Sequence, residues 1–211
     1  MDKTAFEIRS IVRERGITAL GHFTPAANLQ GILTHGLLSI DTLYELDLSY
    51  SYTDGWRNDG RPHAVSLTIH DINRSMFARK LKDSRCDWVI LEVDASVLWT
   101  HWCLFSWVNA ASSVITGHRG RRDGPWAFKR MFDDCPVSGM DKRSSRAVFN
   151  TPDNMPTLND AEVQVLNPIA PDLIRDVTIA SERHRPATEA AMKAAGREIP
   201  IVVFPDIFRR S

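Results

Sequence analysis

The stretch Thr157-Leu158-Asn159-Asp160-Ala161-Glu162-Val163-Gln164-Val165-Leu166 reads as a loop that enters a short strand. Asn159 and Asp160 favour turns. Val163, Val165 and Leu166 are apolar and β-prone. Glu162 stands where the loop becomes the strand. A carboxylate there is costly unless it is paired, hydrogen-bonded or exposed in a cleft. By position alone the plainer reading is an edge-strand Glu facing solvent, since carboxylates are rarely buried without a partner. The rest of the chain argues for the cleft.

The 211 residues suffice for one sizeable core, and a single domain over residues 1–211 is expected. With 43% hydrophobic and 25% charged residues, the composition is that of an ordinary soluble protein. No apolar run reaches the ~20 residues that span a bilayer. The stretch Met1-Asp2-Lys3-Thr4-Ala5-Phe6 lacks the apolar core of a signal peptide, so a cytoplasmic location is expected. Cys86, Cys103 and Cys135 are odd in number and widely spaced. That fits neither a disulfide framework nor a zinc knuckle, and they read as reduced packing residues.

Net charge is zero but uneven. Residues 57–85 hold seven Lys/Arg against three Asp, and residues 113–150 hold eight against four. A locally basic face suits a polyanion such as a dinucleotide or a nucleic acid. A solvated surface balanced by acids elsewhere fits the charge equally well.

Outward from Glu162, the elements alternate without a βαβ repeat. Phe6, Ile8, Ile11 and Val12 have helical spacing, and Ile17 to Leu20 reads as a short strand. Ala26 to His35 reads as a helix closed by Gly36. His22, Phe23 and Thr24 then lie at a strand-to-helix junction, where backbone N–H groups and hydroxyls gather. A structural histidine is the plainer reading of His22. Residues 41–62 read as an irregular loop, too long for a simple connection. Strands are expected over Ala64–Ile69, Trp88–Val93, Val177–Ala180 and Pro200–Phe204, and helices over Ile72–Lys82, Trp126–Phe132 and residues 186–197. The Asn109-Ala110-Ala111-Ser112 stretch reads as a tight polar turn, or as a helix N-cap at Asn109. His118 to Gly124 is a basic loop. The fold class is therefore α+β.

Familiar signatures are missing. There is no phosphate-binding Gly-rich loop, no G-x-G-x-x-G, no metal-spaced Cys/His cluster and no nucleophile elbow. What remains is a His-Phe-Thr junction, an Arg in a long loop, an Asn-Ala-Ala-Ser turn and one late Glu. Such a set could bind a phosphate-bearing ligand and steady a cation-like transition state.

In order, the chain carries His22-Phe23-Thr24 with Asn28-Leu29, then Trp56-Arg57-Asn58-Asp59-Gly60 before Val65-Ser66-Leu67-Thr68-Ile69. Asn73-Arg74-Ser75-Met76-Phe77, Trp88-Val89-Ile90-Leu91, Asn109-Ala110-Ala111-Ser112 and Asp160-Ala161-Glu162-Val163 follow. Across roughly residues 20–180 this series resembles the DarT family of DNA ADP-ribosyltransferase toxins. The resemblance implies an ADP-ribosyltransferase-like fold, with two small sheets forming an NAD cleft. NAD would be co-substrate, without metal. By the same resemblance Glu162 and Arg57 would be catalytic. His22, Phe23, Thr24, Asn28, Arg57 and Arg74 would hold the cofactor. Asn109, Arg119, Arg121, Arg122 and Asn159 would contact DNA. Residues 140–160 would form the substrate-recognition loop. Relatives split between guanine- and thymine-modifying branches, and the Arg-Asn-Asp-Gly run and Ser-Leu-Thr-Ile strand look more like the guanine type. The implied partners are single-stranded DNA and an antitoxin with ADP-ribosyl-hydrolase activity, and the chain would be a monomer. Transfer to RNA or protein, or a catalytically silent NAD- or nucleic-acid-binding module, are the alternatives.

Overall fold

The helix at the N-terminus, α1 (Lys3–Glu14), begins where Asp2 accepts a hydrogen bond from Ala5 N at 2.7 Å, and it buries Ile8, Ile11 and Val12. This computed structural model describes residues 2–51, 60–83, 86–137 and 145–209. Arg57 and its neighbours lie outside the described residues. Along the chain follow β1 (Ala19–Pro25), α2 (Leu29–His35), α3 (Ile40–Glu45), β2 (Val65–Ile69), α4 (Arg74–Asp83), β3 (Trp88–Asp94), α5 (Val97–Thr100) and β4 (Cys103–Ser106). Then come α6 (Ser113–Thr116), α7 (Pro125–Arg130), α8 (Arg146–Phe149), β5 (Glu162–Val165), β6 (Ile174–Ile179), α9 (Arg185–Ala194) and β7 (Ile201–Val203).

The seven strands make one mixed sheet in the order β4-β5-β2-β1-β3-β6-β7. Among the described residues, only β6 and β7 run parallel. The sheet has a narrow waist. β1 pairs with β3 over seven residues, from Ala19↔Asp94 to Pro25↔Trp88, but with β2 only at Leu20↔Ile69 and Gly21↔Thr68. The two small sheets expected from the sequence are thus the two halves of one sheet, β4-β5-β2 and β1-β3-β6-β7. Past Gly21 the ladder between β1 and β2 ends.

Alternation gives the sheet its faces. Val65, Leu67, Ile69, Val163, Val165 and Phe105 point into the main core. Burying each such side chain stabilises the fold by about 1.5–3 kcal/mol. A smaller cluster of Ile72, Phe77, Leu81, Trp88 and Ile90 covers the other face of the β3 half. On that second face the β2-β5-β4 half carries Ser66, Thr68, Glu162, Gln164 and Ser106, with Leu104 the one apolar residue among them.

Some sequence expectations shift. β1 runs to Pro25 rather than stopping near Leu20, because β3 offers a partner for every residue. His22, Phe23 and Thr24 are therefore within a strand, not at a junction. Residues 41–62 include α3, capped by Ser39, whose Oγ accepts from Thr42 N at 3.2 Å. Tyr44 is exposed. Cys103 is buried, which pushes its thiol up to about 12, but Cys86 is exposed rather than in the core.

Candidate active site

Glu162 is the first residue of β5, a central strand between β4 and β2, so it is not an edge residue. Only 8% of its surface is exposed. The β4–β5 ladder sets it opposite Ser106. The β2–β5 ladder runs from Val65↔Val165 to Leu67↔Val163, and one further step brings Thr68 alongside. A buried carboxylate needs partners, and Asn109 Nδ2 donates to Glu162 Oε1 at 2.9 Å. The same Asn109 side chain accepts from Ala111 N at 2.9 Å through its Oδ1. This is the local Asx geometry that favours Asn in turns. It rules out the N-cap alternative, since Ser112 is the residue before α6.

Behind Ser106 lies Arg122. Its guanidinium donates to Ser106 Oγ, its carbonyl accepts from Phe105 N at 2.8 Å, and it is 8% exposed. Arg122, expected to contact DNA, is therefore buried inside the site's wall. Arg121 and Arg119 are exposed. Arg121 is held by Asp123 through Nε at 3.0 Å and Nη2 at 2.8 Å, and this contact keeps the Asp123 carboxyl below its ordinary value against the effect of partial burial. Trp107, His118, Trp126 and Arg130 cluster at the exit of β4. His118 stacks on Trp126 at 5.8 Å, and Arg130 lies 5.0 Å over Trp107.

On the other side of the waist, His22 Nδ1 donates to Ser66 O at 3.0 Å, bridging the strands where their ladder has ended. Phe23 turns the other way and packs on Phe77 at 5.0 Å and Trp88 at 5.8 Å. Its ring is a core element, and only its backbone faces the strands. Thr24 is buried and its Oγ1 accepts from Asn28 Nδ2 at 2.9 Å. Asn28 also clasps Ser51, donating to its carbonyl at 2.8 Å and accepting from its N–H at 2.6 Å. That clasp fixes the chain just before the segment that carries Arg57.

Arg74 opens α4 and its Nε donates to Asp71 Oδ2 at 2.7 Å. With Asn159 it lines a cavity of about 190 Å³ beside the loop that leads into Glu162. The structure thus brings together Glu162, Asn109 and Arg122, and separately His22, Thr24 and Asn28. Ser66, Thr68, Ser106 and Gln164 were not singled out from sequence. Their signal is the period-2 placement of polar residues between buried Val, Leu and Phe. Among the described residues, no group of three His, Cys, Asp or Glu could hold a metal ion, and no helix is long and apolar enough to cross a membrane.

A profile of the family described as "DarT: ssDNA thymidine ADP-ribosyltransferase, DarT" matches residues 21–209. The chain belongs to the DarT family of ADP-ribosyltransferases. No curated protein matches the sequence. Among solved structures, Thermus sp. 2.9 DarT in complex with ADP-ribosylated ssDNA superposes with a TM-score of 0.63 at 14% identity, covering 92% of this chain and 97% of that one. The same protein in complex with NAD+ gives 0.60 at 15%, covering 91% and 98%. Thermosipho africanus DarTG in complex with ADP-ribose gives 0.57 at 17%, covering 90% of this chain and 50% of that one. The chain thus spans about half the length of that DarTG. At these identities the likeness is one of fold.

Proposed function

We propose that this protein transfers ADP-ribose from NAD to a base of single-stranded DNA, releasing nicotinamide, and that guanine is the acceptor. The observation that carries the reading is the buried Glu162, oriented by Asn109 on the polar face of a sheet whose halves pair over only two residues. That polar face suits a ribose, whose hydroxyls need partners when water is excluded. Glu162 would accept a hydrogen bond from the 2′-hydroxyl of the nicotinamide ribose. Positive charge develops at C1′ as its bond to nicotinamide breaks, and a nearby carboxylate stabilises that state more than the ground state. The nicotinamide leaves with the bonding pair, a nitrogen of the base donates a pair to C1′, and the proton of that nitrogen passes to water.

The backbone at His22 would hold the nicotinamide amide, with Thr24 near a ribose. Arg57 suits the diphosphate, because a planar guanidinium can bond two oxygens at once. The 211 residues would act as one domain and as a monomer, in the cytoplasm, as the toxin of a toxin–antitoxin pair. The antitoxin would remove the modification. Thymine is the second reading of the acceptor, favoured by the wording of the family description.

The test is incubation with NAD and single-stranded DNA, RNA or protein, read by mass spectrometry beside Glu162→Ala. One ADP-ribose on a DNA base is expected, with the substitution lowering the rate about a hundred- to a thousand-fold. Modification of RNA or protein alone, or of DNA at an undiminished rate in the variant, would refute the assignment.

A further inference from the structure

We infer that the cavity beside the loop that leads into Glu162 receives the acceptor base, and that Asp71 and Arg74 read its edge. The inference rests on the proposed DNA-modifying activity and assigns the place where its substrate is recognised. The cavity measures about 190 Å³. Sites for larger ligands run to about 300–1,000 Å³, so this one suits a single flat ring system. Leu158, Asn159 and Ala161 form one wall, and Ala161 is the residue immediately before Glu162. The lining is apolar at Ile69, Ile72, Met155 and Leu158, as the faces of an unstacked base require. Polar groups converge from Asp71, Arg74 and Asn159.

The Asp71 turn is held in place by several features. His70 has φ +68°, a left-handed conformation that a non-glycine residue adopts at a cost. The Thr68 hydroxyl donates to Asp71 O, and Asp71 N donates to Ile69 O at 2.9 Å. Gly21 lets this turn lie against β1, because a Cβ there would come within 2.9 Å of Ile72 Cγ2 and 3.2 Å of Asp71 O. Strained backbone persists where the surroundings over-determine it, and such sites cluster at ligand clamps.

The resulting side-chain arrangement leaves capacity for a ligand. Asp71 Oδ1 accepts from Ile72 N at 2.7 Å and Oδ2 from Arg74 Nε at 2.7 Å. A carboxylate has about four lone-pair sites, so about two remain. The terminal nitrogens of Arg74 also remain beyond its Nε contact. Guanine presents two adjacent N–H donors on its pairing edge and the acceptors O6 and N7 beside them, which matches a carboxylate next to a guanidinium. Thymine presents one N–H between two carbonyl oxygens, which a carboxylate repels.

The test uses the full chain, NAD, and oligonucleotides holding a single guanine or a single thymine among adenines and cytosines. Leu158→Trp fills the cavity, and Asp71→Asn keeps the shape while removing the charge. Thermal melts check that both variants fold. Leu158→Trp should raise KM for the oligonucleotide tenfold or more while calorimetry finds NAD affinity within threefold of wild type. Asp71→Asn should lower the guanine-to-thymine modification ratio about tenfold, the order of one lost base-edge contact. Weakened NAD binding in Leu158→Trp would give the cavity to NAD and overturn the inference. So would an unchanged KM and base ratio in both variants. If wild type hydrolyses NAD but modifies no DNA, the underlying activity fails first, before any substitution is compared.

Discussion

Asn109 serves two partners with one side chain. Its Oδ1 fixes the turn at Ala111 and its Nδ2 orients Glu162. A hydrogen bond to a charged group contributes about 1.5–3 kcal/mol, or roughly 10- to 150-fold in rate if it acts through the transition state. Asn109→Ala should lower kcat within that range and leave KM for NAD within a few-fold. Asn109→Asp should be worse than Asn109→Ala, because it sets a like charge against Glu162. Single-turnover kinetics on the two variants decide the order, and an aspartate variant as fast as wild type would refute the role. At this scale the sequence offers candidate residues but not what they touch. Glu162 is legible as a carboxylate at the mouth of a strand. That its strand is central, and that Asn109 is its partner 53 residues earlier, depends on a β4–β5 pairing that no local pattern encodes. Arg122 shows the opposite limit. It looks like its neighbours Arg119 and Arg121 in a basic run, yet it is buried, because only its chain position meets Ser106.

Elements are legible where one period dominates. α1, β2 and β3 are read closely because their apolar spacing is helical or alternating over the whole element. β1 is read too short, since Gly21 and Pro25 look like breakers and only the ladder to β3 overrides them. Gly36 illustrates a signal that sequence does carry. It ends α2 with φ +92°, and its N–H donates to Ile32 O at 2.7 Å. The next residue, Leu37, then forms a two-way bridge with Ile169, at 2.9 and 3.0 Å. A Cβ at position 36 would sit 2.2 Å from Ile169 O, so the backbone itself would have to move. Strain at such a site costs of order 1–3 kcal/mol, before the lost bridge is counted. Gly36→Ala should therefore destabilise the protein by about 3 kcal/mol. That is roughly 6–12 °C in Tm for a chain of this length. A calorimetric melt within 2 °C of wild type would show that the bridge tolerates the shift.

At the scale of the molecule, the zero net charge bears on how DNA would be held in the proposed reaction. Residues 113–150 contain eight cations, and the sequence suggests a basic face. The fold engages half of them elsewhere. Arg121, Arg130 and Arg146 sit in ion pairs with Asp123, Asp133 and Asp153, and Arg122 is buried. Arg119 and Lys129 are exposed without an ion pair among the described residues, and Lys142 and Arg143 lie outside them. Each phosphate contact adds about −0.7 to the slope of log affinity against log salt for a single strand. Eight contacts would give a slope near −5.6, and about a two-thousandfold weakening between 50 and 200 mM salt. Four contacts give a slope near −2.8 and about a fiftyfold weakening. The smaller figure is expected for an oligonucleotide titrated by fluorescence anisotropy. Arg119→Ala should make the slope shallower by about 0.7, whereas Arg122→Ala should leave the slope alone and lower turnover instead. A slope steeper than about −5 would mean that the ion-paired arginines let go of their partners when DNA arrives. Binding would then draw on the whole basic surface rather than on base-edge contacts at the cleft.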